Sequence, residues 1–172
     1  VFSAKAQDPG CAACLSARAW GMLQKTVKTR FGDLCLVEED GAIVALRWGF
    51  ARHEAGSPLL EKAARQLEEY DAGARQAFDL PLRVTGSDLQ RAVCDAIHAI
   101  PFGETVTYGD IAKMLGVPAQ AVGQACGGNP IPILIPCHRV MGAKGLTGFS
   151  GAGGIETKVA LLRHEGAAGL LI

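Results

Sequence analysis

The chain runs to 172 residues, enough for one average domain or two small ones. Its 49% hydrophobic and 20% charged content can bury a core and excludes a disordered chain, and no apolar run reaches the length of a membrane span. Seventeen basic and seventeen acidic side chains cancel, which argues against tight non-specific nucleic-acid binding but leaves room for a local basic face.

Residues 1–20 are Ala-rich and lack periodicity, and the start has no apolar core of signal-peptide length. Cys11-Ala12-Ala13-Cys14 has the spacing of a zinc or redox pair, but no second pair follows and the nearest histidine is His53. No metal or other cofactor is expected, with Cys11 and Cys14 as the sole candidate zinc ligands. The other cysteines, at 35, 94, 126 and 137, are too dispersed for a disulfide scaffold. A reducing compartment is expected: the cytoplasm, or the nucleus in a eukaryote.

A β pattern begins at Leu23. Leu34–Val37 and Ala42–Trp48 flank Asp40-Gly41 and predict a hairpin. Ser57-Pro58 then opens a helix as N-cap and first-turn proline, with Leu59, Leu60, Ala63, Ala64, Leu67 and Tyr70 at helical spacing. Asp71–Arg83 reads as a connection. The chain is therefore expected to divide into 1–84, a small α+β unit without a candidate site beyond its cysteines, and 85–172, a helical unit.

In the second unit Leu89, Val93, Ile97 and Ile100 share a helical face that ends at Pro101. Thr107 caps Tyr108–Leu115, Gly116 stops it, and Val117-Pro118 restarts a helix over Ala119–Cys126. Two short helices around a glycine turn make a helix-turn-helix, a pattern found in DNA-binding proteins and in plain helical cores alike. A Gly-rich loop spans Met141–Gly154 without a phosphate-binding GxxxxGK[ST] string, and a last helix covers Glu156–His164.

Between these lies Ile131–Val140, an apolar run with Pro132 and Pro136 that delivers Cys137 next to His138 and Arg139. It reads as a buried, strand-like support presenting one thiol. A thiol reacts as its thiolate, which neighbouring imidazole and cationic groups favour, so Cys137 has the setting of an activated nucleophile. Cys126 reads as a small, buried helix residue.

Pro136-Cys137-His138-Arg139-Val140, preceded by Gly128-Asn129-Pro130-Ile131-Pro132, resembles the acceptor site of the O6-alkylguanine-DNA alkyltransferases (methylated-DNA–protein-cysteine methyltransferases). The resemblance runs from about Leu89 to Gly166 and takes in Gly103–Tyr108, Thr147–Gly151 and Leu161–Gly166. The order of elements before it is similar to the family's ribonuclease-H-like first domain. The resemblance thus implies an α+β protein: a ribonuclease-H-like unit followed by a helix-turn-helix, winged-helix-like unit.

The function implied is DNA repair by a single, irreversible transfer of an alkyl group from O6-alkylguanine to Cys137, with O4-alkylthymine as a conceivable second substrate. His138 would take the thiol proton through water, Glu165 would orient the imidazole, Asn129 would tie the turn to the acceptor segment, and Tyr108 would protonate the leaving base. Backbone groups of Val140 and Ser150 would read the extruded base, and Phe149 to Gly151 would wall the pocket. Arg139 would anchor the loop. Ala119, Ala121 and Gly123 would bring the second helix close to a minor groove, where Gln120 stands in place of the family's usual arginine and brings no charge. Cys94 replaces a large apolar residue, and the Gly151–Gly154 loop is longer than the family's by about two residues. The partner implied is double-stranded DNA, met by a monomer. Two other readings share these residues: a sensor that binds alkylguanine without transfer, and a cysteine acceptor for free alkylated purines.

Overall fold

The computed structural model describes residues 22–167, so Cys11 and Cys14 lie outside the described residues. Strands β1 (Leu23–Thr29), β2 (Gly32–Glu39) and β3 (Ala42–Trp48) form an antiparallel sheet in sequence order. Asp40 and Gly41 both take positive φ, 47° and 73°, so the β2–β3 connection is the tight turn that Asp-Gly favours. One face of the sheet, with Val27, Leu34, Leu36, Ile43 and Leu46, enters the main core. The other carries only a small buried cluster of Cys35, Val37 and Ala45.

Helix α1 (Pro58–Asp71) packs across the main-core face. Ser57 Oγ accepts from Leu60 N at 2.9 Å, satisfying one of the free donors at the helix start. Leu60, Ala63, Ala64, Leu67 and Tyr70 are buried along one stripe. The segment after it does more than connect. Ile43 N donates to Pro81 O at 2.9 Å and Arg83 N to Ile43 O at 3.0 Å, a short parallel bridge alongside β3.

The second half contains α2 (Asp88–His98), α3 (Tyr108–Leu115), α4 (Ala119–Gly127) and α5 (Ile155–His164). Two-residue strands β4 (Val106–Thr107) and β5 (Val140–Met141) pair in parallel between them. Thr107 and Asp110 exchange side chain–backbone bonds at the start of α3, a full capping box. Gly116 closes that helix at φ 66°, ψ 34°, a left-handed conformation that a side chain would strain. α3 and α4 form the helix-turn-helix.

The two halves share one core. Its residues run from Val27 in β1 to Leu161 in α5, and Leu46 N of β3 donates to Pro130 O at 3.0 Å just before the acceptor segment. That segment corrects the expectation of a strand-like support. Pro132 and Ile135 bridge each other around a turn at Ile133-Leu134, and Cys137–Arg139 form a single 3-10 turn. Two prolines within five residues remove the donors a strand needs.

Candidate active site

The turn that presents Cys137 is held from both ends. Asn129, buried at the end of α4, donates from Nδ2 to Ile135 O at 2.8 Å, and its Oδ1 accepts from Ile131 N at 3.0 Å. Ile135 N donates to Ile131 O and Cys137 N to Ile135 O, each at 2.8 Å. Within this clamp Ile133 sits at φ 72°, a region a β-branched residue avoids at a cost of about 1–3 kcal/mol. The Asn129 bonds and the burial of Ile131, Leu134 and Ile135 hold it there.

Cys137 is 3% exposed and lies on a cavity of about 170 Å³. The walls are Tyr108 from the first turn of α3, Gly123, Cys126 and Gly127 from α4, and Gly148, Phe149 and Ser150 from the Gly-rich loop. The thiol is held below its ordinary pKa, first by the Cys126 thiol facing it and then, against its own burial, by Asn129 and the Lys158 ammonium. Cys126 moves the opposite way, raised by its interaction with Cys137 and by burial. The pair therefore favours a thiolate on Cys137 and a proton on Cys126. Tyr108 is half-buried, and burial raises its phenol, keeping it a proton donor at neutral pH.

Behind the thiol lies a fully desolvated charge cluster centred on Glu165. Its Oε1 meets His138 Nε2 at 2.7 Å and accepts from Tyr70 Oη at 2.7 Å and Arg139 Nη2 at 2.9 Å. Its Oε2 accepts from Arg139 Nε at 2.8 Å and Gly103 N at 3.3 Å. Burial alone would raise this carboxyl, but the bonds from His138 and Arg139 outweigh it and hold the group well below the usual carboxylate range. Glu165 is thus an ionised acceptor, which assigns the His138 proton to Nε2. Burial lowers the imidazole's pKa despite Glu165, so the ring is neutral. Its Nδ1 is buried with no protein partner among the described residues and carries a free lone pair. Arg139 Nη1 also donates to Ile100 O at 2.6 Å. Its charge is spent on Glu165 and the loop, in keeping with its expected anchoring part.

Three participants escape a reading of the sequence. Tyr70 belongs to the first half, where no site residue beyond the cysteines was expected, yet its hydroxyl reaches Glu165. The hint was an apolar stripe ending in a tyrosine, whose buried hydroxyl needs a partner. Lys158 shares the buried face of α5 with Leu161 and Leu162, and its Nζ donates to Val140 O at 2.6 Å and Thr147 O at 3.2 Å. A lysine on an apolar stripe was the available signal. Cys126, read as a packing residue, puts its thiol into the acceptor cavity.

The remaining candidates separate into two sets. Gly123, Phe149 and Ser150 line the cavity with Tyr108 and Cys137. Ala119 and Gln120 are exposed on the first turn of α4, Ala121 is half-buried, and Gln120 shares a helix face with Gly123 three residues on. The Val140 carbonyl already accepts Lys158, so one lone pair is left for a ligand. Gly151 stands off the cavity, packed between Phe149 and Trp48.

Comparison with known proteins places this geometry. A family model described as the ribonuclease-like domain of 6-O-methylguanine DNA methyltransferase matches residues 22–84, and one described as that protein's DNA binding domain matches residues 88–167. The methylated-DNA–protein-cysteine methyltransferase of Mycobacterium bovis is 51% identical over 151 residues, covering 82% of this chain and 90% of that protein. The constitutive enzyme of that name from Bacillus subtilis is 39% identical over 157 residues, covering 81% and 93%. Among solved structures, the Mycobacterium tuberculosis protein in complex with DNA superposes with a TM-score of 0.74 at 42% identity, over 83% of this chain and 92% of that one. The Methanococcus jannaschii O6-methylguanine DNA methyltransferase gives 0.61 at 27%, over 83% and 93%. With both halves matched in order, and relatives this similar across most of their length, the chain belongs to the 6-O-methylguanine DNA methyltransferase family.

Proposed function

We propose that this protein repairs DNA by moving the alkyl group of O6-alkylguanine irreversibly onto Cys137, once per molecule. The observation that carries the reading is the Cys137 thiol in its small cavity, with the neutral His138 and the ionised Glu165 buried behind it. His138 Nδ1 takes the thiol proton through a water molecule, and Glu165 holds the ring in the tautomer that can do so. The Cys137 sulfur attacks the alkyl carbon from the side opposite O6. The carbon–sulfur bond forms as the carbon–oxygen bond breaks, and its electron pair passes into the purine, where the Tyr108 hydroxyl delivers a proton to a ring nitrogen. Atoms and charge balance without a cofactor. The S-alkyl group is a thioether with no leaving group to return it, so the molecule acts once.

The target base leaves the stack to reach a thiol this deeply set, at an expense of a few kcal/mol. α4 approaches the duplex with Gln120 in the position from which a side chain fills the space of the flipped base, and Ala119, Ala121 and Gly123 keep that helix face low. Among the described residues no helix is long and apolar enough to cross a membrane. The free thiols at 35, 94, 126 and 137 suit a reducing compartment, the cytoplasm or a eukaryotic nucleus.

The test is to incubate the protein with a duplex bearing O6-methylguanine and weigh its peptides. A gain of one methyl on the Cys137 peptide, absent in Cys137→Ala, is the expected result. Binding of the duplex without any mass change would overturn the reading.

A further inference from the structure

The wall of the acceptor cavity formed by the Gly-rich loop has a hollow on each side. Phe149 and Ser150 face the cavity of about 170 Å³ that holds Cys137. Ser150 and Ala152 also line a second cavity of about 520 Å³, between the end of β3 and the end of α4, together with Trp48. The other walls have no such freedom: Gly123 and Cys126 belong to α4, Tyr108 to the capped start of α3, and Cys137 to the segment clamped by Asn129. Apart from Gly127 at the end of α4, which borders both cavities, the loop is the side of the lesion pocket with room behind it.

Trp48 is what stands in that room. Its indole Nε1 donates to Phe31 O at 2.9 Å, which fixes the ring against the start of β2. The ring meets Phe149 edge to face, with centroids 5.8 Å apart and planes at 87°. Packing is tight where they meet: a Cβ on Gly151 would overlap the Phe149 ring and come within 2.7 Å of Trp48 Cη2. A residue of the first half thus braces the partition from outside, through Phe149.

We propose that Trp48 is a positioning residue that sets how large an O6 substituent the Cys137 pocket accepts. This rests on the alkyl-transfer reading above. A methyl group adds one carbon beside the thiol and fits the partition as it stands. A benzyl group adds an aromatic ring that must push Phe149 and Ser150 toward the second hollow, and Trp48 opposes that movement.

The experiment measures single-turnover transfer, by the mass of the Cys137 peptide, from duplexes carrying O6-methylguanine or O6-benzylguanine. Wild type, Trp48→Phe and Trp48→Ala are compared. Trp48→Ala is expected to raise the benzyl-to-methyl rate ratio about tenfold, the upper end of what one aromatic pair supplies. Trp48→Phe, which keeps an aromatic edge, is expected to stay within about twofold of wild type on the same basis. A merely structural role would slow both transfers together, so an unchanged ratio in Trp48→Ala overturns the proposal whatever the absolute rates. Should that variant fold poorly, Trp48→Leu gives the same ratio, and the rate of iodoacetamide reaction at Cys137 shows whether the acceptor is intact. Failure of the wild type to accept a methyl group from duplex would instead count against the transfer reading itself.

Discussion

A thiolate at Cys137 must overcome its own burial, and the groups that help it do so differ in what they contribute. Lys158 gives two of its three donors to the Val140 and Thr147 carbonyls, and its effect on the sulfur is that of its charge. Asn129 is committed chiefly to the backbone of the turn. Cys126 lines the same cavity as the sulfur and gives up acidity as Cys137 gains it. Replacing Cys126 by alanine should therefore move the pH–rate profile for iodoacetamide reaction at Cys137 to higher pH. At pH 7 the reaction should slow, because less of the thiol is then ionised. Serine restores a donor of similar size and should recover most of the loss, whereas a packing role would leave alanine and serine alike. Nothing in the sequence separated Cys126 from an ordinary small helix residue, because the cavity exists only once α4 and the acceptor turn meet. Cys137 and His138 were legible because they adjoin, and Glu165 because it ends a motif of its own.

Helices bring different things to the site, and their legibility differs for the same reason. The boundaries of α1, α3 and α4 follow from Ser57, Thr107, Gly116 and Pro118, which act on their own backbone neighbours and can be read locally. What α1 does for Glu165 depends on a contact 95 residues away and cannot. Tyr70→Phe keeps the buried ring but removes the donor to an ionised carboxylate, so it should lower stability by about 1.5–3 kcal/mol in urea unfolding. It should leave the circular dichroism of the folded state unchanged. The α4 surface makes a separate prediction. Ala119–Gly127 carries no charge, and Gln120 is exposed on its first turn. If α4 meets the duplex as proposed, Gln120→Arg adds a cation there, so unmodified DNA should bind more tightly, and the slope of log affinity against log salt should steepen by about 1. Equal salt slopes for the two proteins would remove α4 from the DNA interface.

At the scale of the molecule, Glu165 is a polar tie between the halves beside the core they share. It follows α5, yet its carboxylate gathers Tyr70 from α1, Gly103 from the segment after α2, and His138 and Arg139 from the 3-10 turn. Removing one partner from a buried ion pair strands the other, which costs about 3–5 kcal/mol, so Glu165→Gln should be among the most destabilising single changes. Because the core is also continuous, both halves should lose stability together. A probe near Trp48 and one near α5 should report one unfolding transition, in wild type and variant alike.

The same cluster determines how the protein meets acid. The folded pKa of Glu165 lies below its unfolded value, so its stabilisation is complete above the unfolded value and drains away as pH falls toward the folded one. His138 has the same sign: burial holds its folded pKa below the ordinary one, and protons bind the unfolded chain first. Cys137 has the same sign but acts in the alkaline range, below the ordinary thiol value, where the raised Cys126 opposes it, so the acid limb belongs to Glu165 and His138. Tm should therefore fall as pH drops below the ordinary histidine value of about 6.5, and fall more steeply below the ordinary glutamate value of about 4.3. Glu165→Gln has no carboxylate to protonate there, so its Tm, lower throughout, should lose the steep segment while keeping the shallower decline set by His138. Parallel curves for the two proteins between pH 6 and pH 3 would mean that some other carboxylate governs acid unfolding. The exposed pairs, such as Lys62–Asp79, are poor candidates for that role, since solvent and salt screen them.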